Sequence, residues 1–336
     1  MLHIFYTHSH ITSLVISSYL NHVRFANGER IIVLENRKEK FGNSISNVET
    51  IDLYDLFGNS QVVENNKNMR SIITNYSTCL KIKKFIKNTI KEPYLFYTPS
   101  YSIIWSNLLV NRKLCKGYYF LEEGILSYTS LEFLYKRYLN DRKRIIKTLL
   151  GVNRGFYLER NSKFKGTIAM YGEAFAWNEN NKIVCNNKVL LDQEKYQVIV
   201  ALPGSFNHHE VCSCLRKIII DYPQESIAIK FHPTSYSCFC DEMHRVIDFI
   251  KENNINIQIL PSDYNVDVAI TSLPTKIISI QNVSSLMVYS ILNKSIPVLY
   301  SLTQGKGVSA REICSINAVL CELYPDYNMS TKINVS

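Results

Sequence analysis

The chain has 336 residues with 38 Lys and Arg against 29 Asp and Glu, a formal net charge of +9, and is 46% hydrophobic and 20% charged. This balance supports substantial buried cores and excludes a disordered chain, and the length suits one large or two mid-sized domains. No uncharged apolar run reaches the roughly 18 residues of a membrane-spanning helix, and Met1-Leu2-His3-Ile4-Phe5-Tyr6 lacks the basic head and small-residue cleavage site of a secretion signal. A cytoplasmic protein is expected.

Short apolar strands alternate with helical stretches, which predicts an α/β protein with parallel sheets. In the first half the pattern predicts strands at 2–6, 30–34, 50–53, 94–97, 117–121 and 167–171, with helices at 11–21, 66–91, 102–110 and 131–150. In the second half strands are predicted at 197–202, 226–231, 255–260, 277–280 and 296–300, with helices at 208–220, 240–253, 284–292 and 310–316. Residues 172–196 are polar and Asn-rich, and then the apolar Val198-Ile199-Val200-Ala201-Leu202 opens a new unit that turns at Pro203-Gly204-Ser205. Two Rossmann-like domains are therefore expected, 1–185 and 186–336, with ligands at the carboxyl ends of their strands and in a central cleft.

Several chemistries are excluded by missing motifs. There is no G-x-G-x-x-G dinucleotide turn, no G-x-x-x-x-G-K-[ST] phosphate loop and no G-x-S-x-G elbow. His209-Glu210 is not followed by a second histidine at 213, and no Asp-x-Asp pair is present to bridge a metal to a sugar diphosphate. Nine cysteines stand at 79, 115, 185, 212, 214, 238, 240, 314 and 321 without a C-x-x-C pair. The two C-x-C pairs lie near His208, His209 and His232, but that spacing does not converge two sulfurs on a helix, so reduced, buried thiols are expected rather than zinc.

Three constellations fall at predicted strand ends. Tyr118-Tyr119-Phe120-Leu121-Glu122-Glu123-Gly124 delivers two adjacent carboxylates followed by a glycine that allows a sharp turn. Neighbouring side chains on an extended strand point to opposite sides, so one carboxylate can face a ligand as a general base while the other is tied down. Ser226-Ile227-Ala228-Ile229-Lys230-Phe231-His232-Pro233 ends an apolar strand in Lys-x-His-Pro, where Pro233 keeps His232 out of helical conformation. A protonated His232, with Lys230 near in sequence, is suited to neutralise a phosphate or protonate a leaving group. Ile277-Ile278-Ser279-Ile280-Gln281-Asn282-Val283-Ser284-Ser285 ends in paired serines that begin a helix, where a hydroxyl and free backbone N–H groups make an anion pocket. Each has a plainer alternative: a polar loop, a satisfied turn histidine, an ordinary helix cap.

Acidic-acidic-Gly, then His-Pro, then Ser-Ser resembles the motif order of bacterial two-domain, GT-B-type sialyltransferases, the capsule polysialyltransferases and the lipooligosaccharide and O-antigen enzymes. The resemblance rests on Glu122-Glu123-Gly124, His232-Pro233 and Ser284-Ser285. It implies an inverting, metal-independent transfer of sialic acid from CMP-sialic acid to a galactose- or sialic-acid-terminated glycan in bacterial surface-polysaccharide synthesis, with no cofactor. In these terms Glu123, or Glu122, is the base, and His232 is the acid or phosphate contact. The donor's cytidine phosphate is then held by Lys230, His232, Pro233, Ser284 and Ser285, with Gly204 in the neighbouring turn. CDP-glycerol-type glycerophosphotransferases are similar through Lys-x-His-Pro and Ser-Ser, but they carry Asp shortly before the serines, where this chain has Gln281-Asn282-Val283. A non-catalytic glycan- or membrane-binding protein on the same scaffold is the third reading.

The loop Thr7-His8-Ser9-His10 after the first strand makes His8, Ser9 and His10 acceptor-side candidates, or else a turn in which Ser9 or His10 caps the next helix. Basic residues crowd 136–165, interleaved with Leu131, Leu134, Tyr138 and Ile145, and Lys81, Lys83, Lys84, Lys87 and Lys91 share one helix. A basic amphipathic segment over 131–165 suits peripheral binding to an anionic membrane, on the inner face of the cytoplasmic membrane, where lipid-linked glycans are met. No nucleic-acid-binding signature is present.

Overall fold

A computed structural model describes residues 1–36, 48–57, 69–99, 104–132, 161–185, 196–204, 206–232, 235–262, 264, 266, 269–270, 275–280, 285–293, 298–301 and 331–333. The chain divides into two compact units, Met1–Asn187 and Lys188–Ser336. The helices expected at 131–150 and 310–316 lie outside the described residues, apart from 131 and 132.

The first unit contains β1 (Leu2–Thr7), α1 (His10–His22), β2 (Arg30–Glu35), β3 (Glu49–Asp52), α2 (Leu53–Phe57), α3 (Met69–Thr89), β4 (Tyr94–Thr98), α4 (Ile104–Val110), β5 (Cys115–Leu121), β6 (Phe164–Ala169) and β7 (Lys182–Val184). Short 3-10 turns follow β5 (Gly124–Tyr128) and β6 (Ala176–Asn181). The strands form one parallel sheet in the order β3-β2-β1-β4-β5-β6-β7. β1 is buried along its whole length, as expected of a parallel strand covered on both faces. Its Phe5 ring stacks on Tyr97 of β4 at 4.1 Å, and Tyr97 stacks on Tyr119 of β5 at 5.2 Å, so an aromatic ladder crosses the sheet.

Helix α3 buries Cys79, Ile82 and Ile86 at three- and four-residue spacing, with Ile90 buried just beyond its end, and turns Lys81, Lys84 and Lys87 to solvent. The last carbonyls of a helix lack internal partners, and here basic side chains supply them. Arg112 donates to the carbonyls of Ile86 and Ile90, and the Lys163 ammonium donates to those of Val110 and Arg112 at 2.9 and 2.8 Å. Lys163, one of the basic cluster over 136–165, is thus a structural staple.

The second unit contains β8 (Val198–Ala201), α5 (His208–Asp221), β9 (Ile227–Lys230), α6 (Ser235–Cys238), α7 (Cys240–Glu252), β10 (Gln258–Ile259), β11 (Lys276–Ile280), α8 (Ser285–Leu292), β12 (Val298–Ser301) and β13 (Thr331–Ile333). They form a parallel sheet in the order β10-β9-β8-β11-β12-β13. Relabelled from its first strand this is 3-2-1-4-5-6, the doubly wound nucleotide-binding order, and the first unit carries the same order with β7 added. The core packs Val198, Val200, Ile227, Ile229, Ile278 and Ile280 against Val211, Leu215 and Ile218 of α5 and Val246 and Ile250 of α7.

Some boundaries differ from the pattern. β6 begins at Phe164 rather than 167, because Gly166 is not a break but a point of close approach. With φ of +152° it lies against the end of the second 3-10 turn, where a Cβ would collide with the Asn181 carbonyl oxygen. β7 lies inside the Asn-rich stretch read as a seam, and pairs with β6 as an edge strand. Cys79, Cys115, Cys185 and Cys214 are buried free thiols, and Cys212 and Cys240 are partly buried. Burial pushes Cys115, Cys185 and Cys212 up to about 11 and Cys214 up to about 12.

Gly166→Ala is expected to destabilise the first unit by roughly 2–4 kcal/mol, combining backbone strain with the Asn181 collision. Denaturant unfolding followed by circular dichroism measures it.

Candidate active site

In the first unit the residues of interest leave the carboxyl edge of the sheet. Glu122 continues β5 by one step, its N–H donating to the Ile168 carbonyl of β6. Its side chain is 0% exposed, and both oxygens are used. Tyr128 Oη donates to Oε1 at 2.6 Å, and the Met170 N–H donates to Oε2 at 2.7 Å. A buried carboxylate is tolerable only with such donors, and here they bind the ends of β5 and β6 and the 3-10 turn to one another.

Gly124 then takes φ of +71°, which a side chain would resist, and the chain swings away. Glu123, between them, turns the other way. Its N–H is fixed by Ser127 Oγ at 2.8 Å, and its carboxylate Oε1 lies 2.6 Å from His8 Nε2. Glu123 is therefore the carboxylate at the surface of the edge, and Glu122 is the one tied down.

His8 is the first residue beyond β1. Ser9 beside it caps α1, completing a capping box with Thr12, and Thr7 Oγ1 hydrogen-bonds Thr12 Oγ1 at 2.7 Å and Ser13 Oγ at 2.8 Å. Of the three acceptor-side candidates, Ser9 takes the capping alternative and His10 is the first residue of α1, while His8 joins Glu123. The Tyr6 ring lies 5.9 Å from the His8 ring, and Tyr6 Oη accepts from Asn36 Nδ2 at 3.0 Å. Burial holds the Tyr6 phenol far above its ordinary value, so it stays a neutral hydroxyl. Asn36, Ser127 and Tyr128 carried no sequence signal, since their partners are distant in the chain.

In the second unit Ala201 of β8 pairs with Lys230 of β9, and with Ser279 of β11 on its other side. The turn through Gly204, the His232 segment and the chain leading to Ser285 therefore leave three adjacent strands, β8, β9 and β11, at one edge. Ser285 begins α8, while Pro233 and Ser284 lie outside the described residues. The point between β8 and β11, where strand order reverses, is the usual ligand crevice of such a sheet.

Lys230, a donor-side candidate, is the last residue of β9. It is 8% exposed, and its ammonium donates to the carbonyls of Pro261 and Ser262, both at 2.6 Å. A buried ammonium requires such acceptors, and this one holds the chain after β10 against the end of β9. His232 reaches solvent, yet the chain packed around its ring, and secondarily the Lys230 charge, hold its pKa below the ordinary imidazole value. This environment favours the neutral imidazole in the free protein.

The N-terminus of α5, the helix after β8, is closed. The His208 N–H and Nδ1 both lie 2.8 Å from Glu242 Oε2 of α7, and the His209 N–H donates to Asn207 Oδ1 at 2.9 Å. The His208 N–H is the main cause holding the Glu242 carboxyl below its usual range. Among the described residues no group of three or more metal-ligating side chains converges, and no helix is long and apolar enough to cross a membrane.

No family model matches this chain, and no curated protein matches its sequence. Solved structures do match. An α/β-galactoside α-2,3-sialyltransferase from the luminous marine bacterium Photobacterium phosphoreum superposes with a TM-score of 0.52 at 10% identity, covering 99% of this chain and 98% of that one. TcCGT1 in complex with UDP gives 0.56 at 10% identity over 95% of this chain and 84% of that one. The glycotransferase of kitacinnamycin gives 0.50 at 7% identity over 95% and 83%. At such identities the likeness shows the fold, two Rossmann-like domains of the GT-B type, as the sequence pattern predicts.

The two adjacent carboxylates should separate in a stability measurement. Glu122→Ala leaves Tyr128 Oη and the Met170 N–H without their acceptor and is expected to cost about 2–4 kcal/mol. Glu123→Gln, at a partly exposed pair, is expected to cost about 1 kcal/mol or less. Urea unfolding of both variants measures the difference.

Proposed function

We propose that this chain is a glycosyltransferase that moves sialic acid from CMP-sialic acid to a glycan hydroxyl with inversion and without a metal, in the synthesis of a bacterial surface polysaccharide. The observation that carries this is the division of labour at the end of β5: Glu122 buried with both oxygens bonded, Glu123 presented at the edge. The motif order and the fold shared with a bacterial sialyltransferase support the choice of donor.

In this reaction the acceptor O–H proton passes to Glu123 while the acceptor oxygen bonds the anomeric carbon. The bond from that carbon to the CMP phosphate breaks, and its electron pair leaves with CMP. The second unit meets the phosphate with His232 and the start of α8. A bound phosphate favours the imidazolium, so it offsets the desolvation that keeps His232 neutral in the free protein.

A transfer assay with CMP-sialic acid and lactose in the presence of EDTA is expected to give product. Glu123→Gln should lower kcat by about 10²–10⁴-fold while lowering the melting temperature by no more than a few degrees. CMP should raise the melting temperature more than CDP, UDP or GDP, whereas a CDP preference would favour glycerophosphate transfer. Because His232 titrates below the ordinary value, CMP affinity is expected to rise as pH falls through that range, and His232→Ala should flatten the rise. Calorimetric titrations at several pH values measure both.

Peripheral attachment to an anionic membrane belongs to the same reading. The 133–160 part of the 131–165 segment lies outside the described residues, but Lys81, Lys84, Lys87 and Lys91 are exposed on and just beyond α3, with Leu80 beside them 46% exposed. A lysine close to such a surface is worth about 1 kcal/mol. Charge reversal of these four lysines is therefore expected to reduce co-sedimentation with phosphatidylglycerol-containing vesicles by about tenfold or more. Neutral vesicles should not bind.

A further inference from the structure

His8 and Glu123 come from the ends of β1 and β5, strands separated in the sheet by β4, and their side chains are 15% and 20% exposed. The contact is short, 2.6 Å between His8 Nε2 and Glu123 Oε1. His8 has little freedom to be elsewhere: Thr7 before it is bonded to Thr12 and Ser13, Ser9 after it caps α1, and the Tyr6 ring, itself anchored to Asn36, stands beside the imidazole. Glu123 is pinned only at its backbone, through Ser127.

The other ring nitrogen decides what His8 can do. Nδ1 is buried and has no hydrogen-bond partner among the described residues. Nε2 is the nitrogen that faces a carboxylate, and Nδ1 meets no acceptor among the described residues, so a proton on Nε2 is the one the surroundings can use. With Nε2 spent on Glu123 and Nδ1 walled off, His8 has no nitrogen placed to take a proton from a ligand. Glu123 Oε2, in contrast, has no partner among the described residues.

We propose that His8 is the positioning residue of the Glu123 base: its Nε2–H holds Oε1 and fixes the carboxylate so that Oε2 is the oxygen that accepts the acceptor's proton. The inference rests on the transfer reading given above. The acceptor O–H bond breaks, its proton joins Oε2, and its electron pair forms the new glycosidic bond as the donor's bond to CMP breaks.

The test compares His8→Ala with His8→Gln, whose amide reaches the same carboxylate oxygen but carries no proton-accepting nitrogen. With CMP-sialic acid and lactose, His8→Ala is expected to lose about 10- to 100-fold in kcat, the cost of a misplaced catalytic group, with the lactose KM within about twofold of wild type, the mark of an interaction that matters in the transition state. His8→Gln should recover most of the loss. Full activity of His8→Ala overturns the proposal. So does a His8→Gln variant as slow as His8→Ala, which would make the imidazole itself the proton carrier. Wild-type protein that transfers from no CMP-sugar would defeat the transfer reading instead, and nitrogen-15 NMR of His8 then tests the pair alone. An Nε2–H signal that is lost or shifted in Glu123→Gln supports the pair, and an Nε2 that carries no proton in the wild-type protein overturns it.

Discussion

The first unit depends on a buried carboxylate whose two oxygens are both bonded. Glu122 accepts from Tyr128 Oη and from the Met170 N–H, and its own N–H continues the ladder to β6. These bonds draw the ends of two strands and one 3-10 turn to a common point. Because successive residues on an extended chain face opposite sides, fixing Glu122 inward fixes Glu123 outward. Gly124, with its positive φ, then removes the chain from the space before Glu123. The sidedness of the edge is a consequence of one anchored residue, and the surrounding aromatic ladder of Phe5, Tyr97 and Tyr119 gives that anchor a rigid sheet to pull against.

The second unit spends its charges differently. Lys230 is buried and holds the Pro261–Ser262 carbonyls, so the ammonium that the sequence places two residues from His232 works as a strut. Its charge still reaches His232, where with desolvation it favours the neutral imidazole. A lowered imidazole pKa means that a bound anion, by favouring the imidazolium, would be coupled to proton uptake.

Strand positions were legible in the sequence wherever a strand is buried on both faces, since Leu2–Tyr6, Val198–Leu202 and Ser226–Phe231 read as largely apolar runs, whereas strand order was not. The pair Glu122-Glu123 was legible as one inward and one outward residue, but not which was which, because that depends on Tyr128 and Met170, six and 48 residues away. The His8–Glu123 pair spans 115 positions and leaves no local pattern. β7 and the early start of β6 were hidden for a related reason: a three-residue edge strand flanked by asparagines and a strand glycine both read as loop. The structural bonds of Lys230 were not legible, because a lysine at the end of an apolar strand looks like the rim of a site and only the path of the chain after β10 shows what it holds.

Glu242 has a consequence for how a shared fold is read. The doubly wound order conventionally offers its first helix start to a phosphate, and in the second unit that place is α5, already filled by a carboxylate from α7. A nucleotide approaching this sheet meets negative charge where the common pattern of such sheets has an open cradle. The architecture is present here without the corresponding ligand position, so superposing a bound dinucleotide from another protein by strand order alone would set its phosphates against Glu242. A carboxylate-to-amide change at Glu242 removes the negative charge from that helix start but leaves a side-chain oxygen able to accept from the His208 N–H.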